Sequence, residues 1–132
     1  MALESLEHAL VLTDDLEATR AFYCDVLGFE AGERPDLPFA GYWLYLGGVP
    51  CLHIADRAKY EAQLGRMGLR RADGSVDHLA FAARDHDALA ARLEAAGVPA
   101  VANDVPAAGM RQLFFEDPNG VRIELNVRLV RT

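Results

Sequence analysis

The chain has 132 residues, 52% of them apolar or aromatic and 25% charged, which suits one compact domain or two fused half-size modules and is too short for two independent domains. Thirteen basic against twenty acidic side chains leave a formal charge of −7, so no global basic field exists to attract a nucleic-acid backbone or an anionic membrane, and neither is expected as a partner. Only two cysteines, Cys24 and Cys51, argue against a disulfide framework, and the acidic opening Met1 to His8 lacks the order of a secretory signal, so the expected compartment is the cytoplasm.

In chain order, Glu7 to Leu12 reads as an apolar strand, followed by Asp14-Asp15 as a helix cap and a helical stretch ending at Leu27-Gly28. Its stripe of Leu16, Thr19, Phe22, Tyr23 and Val26 suits packing on a sheet. Short strands are expected near Glu30 to Glu33, over Tyr42 to Leu46 and over Cys51 to Ile54. The uncharged run Leu37 to Ala55 is broken by Gly41, Gly47, Gly48 and Pro50, so it reads as two buried strands and a turn rather than a membrane span. Asp56 to Gly74 is polar and glycine-containing and is expected to connect two modules, its Lys59, Arg66, Arg70 and Arg71 forming a solvated basic group.

The first pattern then returns. Asp77 to Ala82 reads as a strand, Asp85 as a cap, Leu89 and Leu93 as a helix stripe and Gly97 as its stop. Strands follow near Ala100 to Asn103, over Gln112 to Phe115 and over Val121 to Val127, the last two joined by the turn residues Asp117-Pro118-Asn119-Gly120. His8 and His78 are 70 residues apart, and so are Asp15 and Asp85. Each copy reads β, α, β, β, β, which predicts an α+β protein of duplicated modules: about 4–55, a connector of about 56–74, and about 75–128.

Aligning the last strands of the two copies sets His53 against Glu124, so three of the four histidines and one glutamate occupy two pairs of repeat-equivalent positions. Alternation sends their apolar neighbours Ala9, Leu52, Leu79 and Leu125 to the opposite face. An inward glutamate is costly without a partner, and three imidazoles converging on it share an obvious one, a divalent metal ion. Three neutral nitrogens and one carboxylate suit Fe, Mn, Ni, Co or Zn, and the spacing does not choose among them. His86 sits among polar residues beside Asp85 and is expected to face solvent, outside the site.

Through these residues the sequence resembles the vicinal oxygen chelate superfamily, which includes glyoxalase I, extradiol catechol dioxygenases, fosfomycin-resistance enzymes, methylmalonyl-CoA epimerase and bleomycin-binding proteins. The resemblance covers residues 5 to 128 and is carried by His8, Phe22-Tyr23, Leu27-Gly28-Phe29, Asp77-His78 and Asp117-Pro118-Asn119-Gly120 leading to Ile123-Glu124-Leu125. It implies two βαβββ modules pairing into a cupped mixed sheet, a metal held at the positions of His8, His78 and Glu124, and His53 at the fourth position. It also implies a homodimer and a small-molecule substrate offering two neighbouring oxygens, handled by a metal-dependent dioxygenase or a glyoxalase-like lyase, with Glu124 available as a base if displaced. Departures narrow this: glyoxalase I carries a glutamate or glutamine where this chain has His53, and fosfomycin-resistance enzymes carry a threonine where it has Leu10. The rival expectation is a binding protein of the bleomycin-resistance type that sequesters a drug or metabolite without turnover.

Arg122 and Cys51 precede Glu124 and His53 by two residues and share their strand face, so Arg122 is a candidate clamp for a substrate carboxylate and Cys51 a thiol beside the site. The alternative for Arg122 is an ion pair with Glu116 or Asp117, and for Cys51 simple packing. Asn126, on the same face, is placed to orient Glu124. Trp43 and Tyr45 share one strand face and Tyr42 and Leu44 the other, and either pair can line a pocket.

Overall fold

The computed structural model describes residues 2, 4–70, 72 and 74–129, and it divides into two compact units, 1–73 and 74–132. The first holds β1 (Ala9–Thr13), α1 (Leu16–Ala21) continued by one π-helical turn (Phe22–Val26), β2 (Glu30–Gly32), β3 (Gly41–Leu46), β4 (Val49–Asp56) and α2 (Arg57–Arg66). The second holds β5 (His78–Ala83), α3 (His86–Ala95), β6 (Val101–Val105), a short 3-10 turn (Pro106–Ala108), β7 (Met110–Glu116) and β8 (Arg122–Arg128). The sheets are ordered β1-β4-β3-β2 and β5-β8-β7-β6, each with one parallel pair at β1/β4 or β5/β8 and antiparallel pairs elsewhere. Two mixed sheets with helices, repeating βαβββ, are the α+β architecture that the sequence pattern predicts. Among the described residues no helix is long and apolar enough to cross a membrane.

The repeat extends to strand register. Leu10 pairs with His53 in the first sheet, and Ala80 pairs with Glu124 in the second. Across the antiparallel neighbours, Trp43 pairs with His53 and Phe114 with Glu124. The alignment of His53 with Glu124 therefore holds at the level of backbone hydrogen bonding.

Alternation gives each sheet one buried face. In the first unit Val11, Leu44, Leu52 and Ile54 are buried together with Thr19, Phe22 and Tyr23 of the helix, each large apolar side chain contributing about 1.5–3 kcal/mol. The helix starts where Asp15 accepts from the Ala18 amide at 3.0 Å, and buried Thr13 and Thr19 join sheet to helix through their hydroxyls at 2.9 Å. In the second unit Leu113, Phe115, Ile123, Leu125 and Val127 form the buried face with Leu93 of α3.

Three expectations are corrected. The connector is not all irregular: Asp56 ends β4 and caps α2 by accepting from the Lys59 amide at 2.9 Å, while Arg57 reaches back to Asp14 at 3.0 Å. Lys59 and Arg66 thus lie on a helix that buries Leu64, and Arg71 lies outside the described residues. Asp85 occupies the cap position of α3 but makes no side-chain cap bond, because its backbone is left-handed at φ 64°. His86 is buried at 7% exposure, not solvent-facing, and among the described residues neither ring nitrogen makes a hydrogen bond, Asp87 Oδ1 lying 3.5 Å from Nδ1.

Candidate metal-binding half-sites

In the first unit, His8 stands just before β1 and its Nδ1 lies 2.9 Å from Glu7 Oε1. Its ring stacks on His53 with centroids 3.8 Å apart and planes within 13°, and His53 stacks in turn on Trp43 at 4.2 Å and 10°. The three rings come from neighbouring chain segments, with β4 in the middle. Burial pushes the His53 pKa below the usual histidine value and the neighbouring His8 adds to it, a shift toward the neutral form that metal ligation requires. Parallel stacking sets the in-plane lone pairs side by side, so joint coordination by His8 and His53 needs one ring to tilt.

Trp43 and Tyr45 share the His53 face, whereas Leu44 is buried against the helix and the Tyr42 hydroxyl donates to Glu17 on α1. The Tyr45 hydroxyl is committed to the Glu33 carbonyl, so it fastens the end of β2. Cys51 is a half-buried free thiol on the His53 face.

In the second unit, His78 opens β5 and its Nδ1 lies 2.9 Å from Asp77 Oδ2, repeating the Glu7–His8 arrangement 70 residues on. The other nitrogen, Nε2, lies 3.2 Å from Glu124 Oε1 on β8. Arg122 Nη1 donates to Asp77 Oδ2 at 3.0 Å. The Asp117 carboxylate accepts from the amides of Asn119 at 2.7 Å and Val121 at 2.9 Å, shaping the turn. The hydrogen bond from His78, with the charge of Arg122, holds the Asp77 carboxyl below its usual range.

Glu124 is fixed from its other side. Buried Gln112 donates through Nε2 to Glu124 Oε2 at 3.2 Å and to Asn126 Oδ1 at 3.0 Å, while its Oε1 accepts from Asn103 at 2.8 Å. Asn126 therefore acts on the carboxylate through Gln112. A polar line of Asn103, Gln112, Glu124 and His78 thus crosses all four strands of the sheet. Beside it, Pro99, Val101, Phe114, Phe115, Glu116 and Arg122 line an open cavity of about 330 Å³, the lower end of ligand-pocket size.

Sequence reasoning missed Glu7, Asp77 in its bonding role, and Gln112. The acidic residue before each repeat-equivalent histidine was a readable signal for the first two. Gln112 had none in the repeat, because the matching position in the first unit is Gly41, where an added Cβ would strike the Ile54 carbonyl.

The donor chemistry fits a divalent cation. His78 has a carboxylate oxygen within reach of each ring nitrogen, Asp77 Oδ2 at Nδ1 and Glu124 Oε1 at Nε2, and a divalent cation can stand in place of a proton between Nε2 and Glu124. Among the described residues no group of three or more His, Cys, Asp or Glu side chains is gathered closely enough to hold an ion, so the four predicted donors occur as two pairs, His8 with His53 and His78 with Glu124.

Residues 5–125 match the family model of the Glyoxalase/Bleomycin resistance protein/Dioxygenase superfamily. The chain is 32% identical over 126 residues to Glyoxylase I 4 of Arabidopsis thaliana, covering 93% of this chain and 70% of that protein. Among solved structures it resembles a glyoxalase family protein from Enterococcus faecalis, with TM-score 0.70 and 27% identity over 96% of this chain and 99% of that one. It also resembles TnmS3, an antibiotic binding protein from Streptomyces sp. CB03234, with TM-score 0.69 and 25% identity over 97% and 98% of the two chains.

Proposed function

Because the chain belongs to the glyoxalase/bleomycin resistance protein/dioxygenase superfamily, we propose that it is a metal-dependent enzyme acting on a small molecule with two neighbouring oxygens, and that His8, His53, His78 and Glu124 are its metal donors. The observation that carries this reading is the facing of His78 Nε2 and Glu124 Oε1 at 3.2 Å, with His78 Nδ1 engaged by Asp77 and Glu124 Oε2 by Gln112. A bound Fe, Mn, Ni, Co or Zn ion supplies Lewis-acid polarisation of substrate oxygens. The protein's own share is to orient donors, seat the substrate and move protons. Gln112 holds Glu124, Asp77 holds His78, and Phe114 and Val101 offer an apolar wall for the substrate body. Glu124, the anionic donor, is the group placed to take a proton.

His53 supports Lewis-acid or dioxygenase-like chemistry over glyoxalase-type isomerisation, since it stands where glyoxalase I carries a glutamate or glutamine and leaves that position without a carboxylate to move a carbon-bound proton. The test is elemental analysis of the purified protein, followed by assays of each metal form against catechols, with oxygen uptake followed, and against the methylglyoxal–glutathione adduct. About one divalent ion per chain and oxygen uptake with a catechol are expected, and a protein that retains no ion at micromolar supply would overturn the assignment.

A second reading is favoured by the stack of Trp43, His53 and His8: a flat ligand held on an aromatic shelf without turnover, in keeping with the name of TnmS3. Tight binding of a planar ligand by metal-free protein, with no product formed, would favour it. We also propose a homodimer, which covers exposed sheet edges, and a sedimentation mass near the 14.4 kDa of one chain would reject that.

A further inference from the structure

We propose that Asp77 is a positioning residue that keeps the proton of His78 on Nδ1 and so commits Nε2 to the metal, with Arg122 as the clamp on Asp77 and Glu7 as a weaker counterpart for His8. This deepens the metal reading above and rests on it. Two independent copies of the arrangement carry the inference: Glu7–His8 and Asp77–His78 are repeat-equivalent, and each pair has a carboxylate oxygen 2.9 Å from Nδ1. A neighbouring contact on a surface can arise by chance once. Its return at the same position of a duplicated module, directed at the same nitrogen of a candidate donor, points to a function.

The chemistry is that of an outer carboxylate behind a ligating histidine, which selects the tautomer, fixes the ring plane and makes the free nitrogen more basic. The two copies differ in how firmly the carboxylate is itself held. Asp77 Oδ2 receives Arg122 Nη1 at 3.0 Å, and Arg122 is the register partner of His78 across β5 and β8. The residue matching Arg122 in the first unit is Cys51, which offers no guanidinium, and Glu7 is 85% exposed against 65% for Asp77. Arg122 is therefore assigned to the Asp77–His78 pair, a role compatible with its reading as a substrate clamp because it also lines the cavity.

The experiment uses the full chain labelled with 15N in histidine. In metal-free protein at pH 8, long-range 1H–15N spectra report which ring nitrogen carries the proton, and competition with a chromophoric chelator gives the affinities for Ni(II) and Mn(II). Wild type is expected to show His78 protonated on Nδ1. Asp77→Ala should shift it toward the Nε2–H form and lower metal affinity about 10–100-fold. Asp77→Asn keeps an acceptor and should largely restore the tautomer, Arg122→Gln should lose less affinity than Asp77→Ala, and Glu7→Ala should act on His8 alone and more weakly. Because Asp77 is well exposed, truncation leaves the core untouched, and circular dichroism checks this. Unchanged tautomer and unchanged affinity in Asp77→Ala would overturn the proposal. If wild type binds neither ion while the tautomer still shifts in Asp77→Ala, the metal reading falls and the positioning role stands.

Discussion

Gln112 and Glu124 are joined across β7 and β8 by a 3.2 Å hydrogen bond whose donor is itself pinned by Asn103 and Asn126. A neutral amide with all three contacts made is a rigid brace for a carboxylate. Gln112→Ala should therefore leave the fold intact and weaken divalent-metal affinity by about tenfold or more, whereas Glu124→Ala, which removes the anionic donor, should abolish retention. Chelator competition on both variants provides the measurement, and equal affinity in wild type and Gln112→Ala would show that the brace is immaterial.

The proposed donor set makes turnover depend on His53. With His53 intact, turnover of the methylglyoxal–glutathione adduct should be negligible in the Fe(II), Mn(II), Ni(II) and Zn(II) forms. His53→Glu adds a negative charge to the donor set and should weaken binding of anionic substrate oxygens. Strong isomerase activity in the wild type would place the proton shuttle elsewhere.

The Tyr42–Glu17 bond between β3 and α1 gives a pH prediction. Hydrogen bonding by Tyr42, then by Arg20, lowers the Glu17 pKa, and the bond to Glu17 raises that of Tyr42. A lowered carboxyl pKa stabilises the fold above its unfolded value, and that share is lost as pH falls through the folded value below about 4.5. A raised phenol pKa stabilises below its unfolded value and is lost as pH rises beyond about 10. Tyr42→Phe should thus be less stable than wild type at neutral pH, with the gap closing toward pH 3. Urea-unfolding midpoints at the two pH values report it, and a gap of the same size at both would contradict the assignment.

His86 should be replaceable at a gain. Among the described residues neither buried ring nitrogen makes a hydrogen bond, the Asp87 carboxylate lying 3.5 Å from Nδ1, and each such group costs about 1–3 kcal/mol. His86→Leu is expected to raise unfolding stability by about 1 kcal/mol or more with metal affinity unchanged. A marked loss of stability, read by thermal melting, would indicate that the imidazole is satisfied in solution.

The repeat was the most legible feature of the sequence because strand register preserves it. His8 with His78 and His53 with Glu124 could be aligned by counting, and the backbone pairing keeps the same alignment. What escaped was whatever the duplication does not share. Gln112 has only Gly41 as its counterpart, Asp85 adopts a left-handed backbone that its residue type merely permits, and His86 is buried despite polar neighbours in sequence. The helix in the connector was hidden because its mostly polar face left only Leu64 to bury, too little apolar periodicity to mark it.

The matched register of the two sheets also bears on how such a protein diversifies. Because His53 and Glu124 occupy the same backbone slot in the two copies, each opposite an aromatic residue, either can be exchanged without moving a strand. A single codon change at that slot adds or removes a negative charge from the donor set while the scaffold stays constant. Duplication thus supplies two interchangeable sockets, and the chemistry becomes heritable at one position rather than through a rebuilt fold.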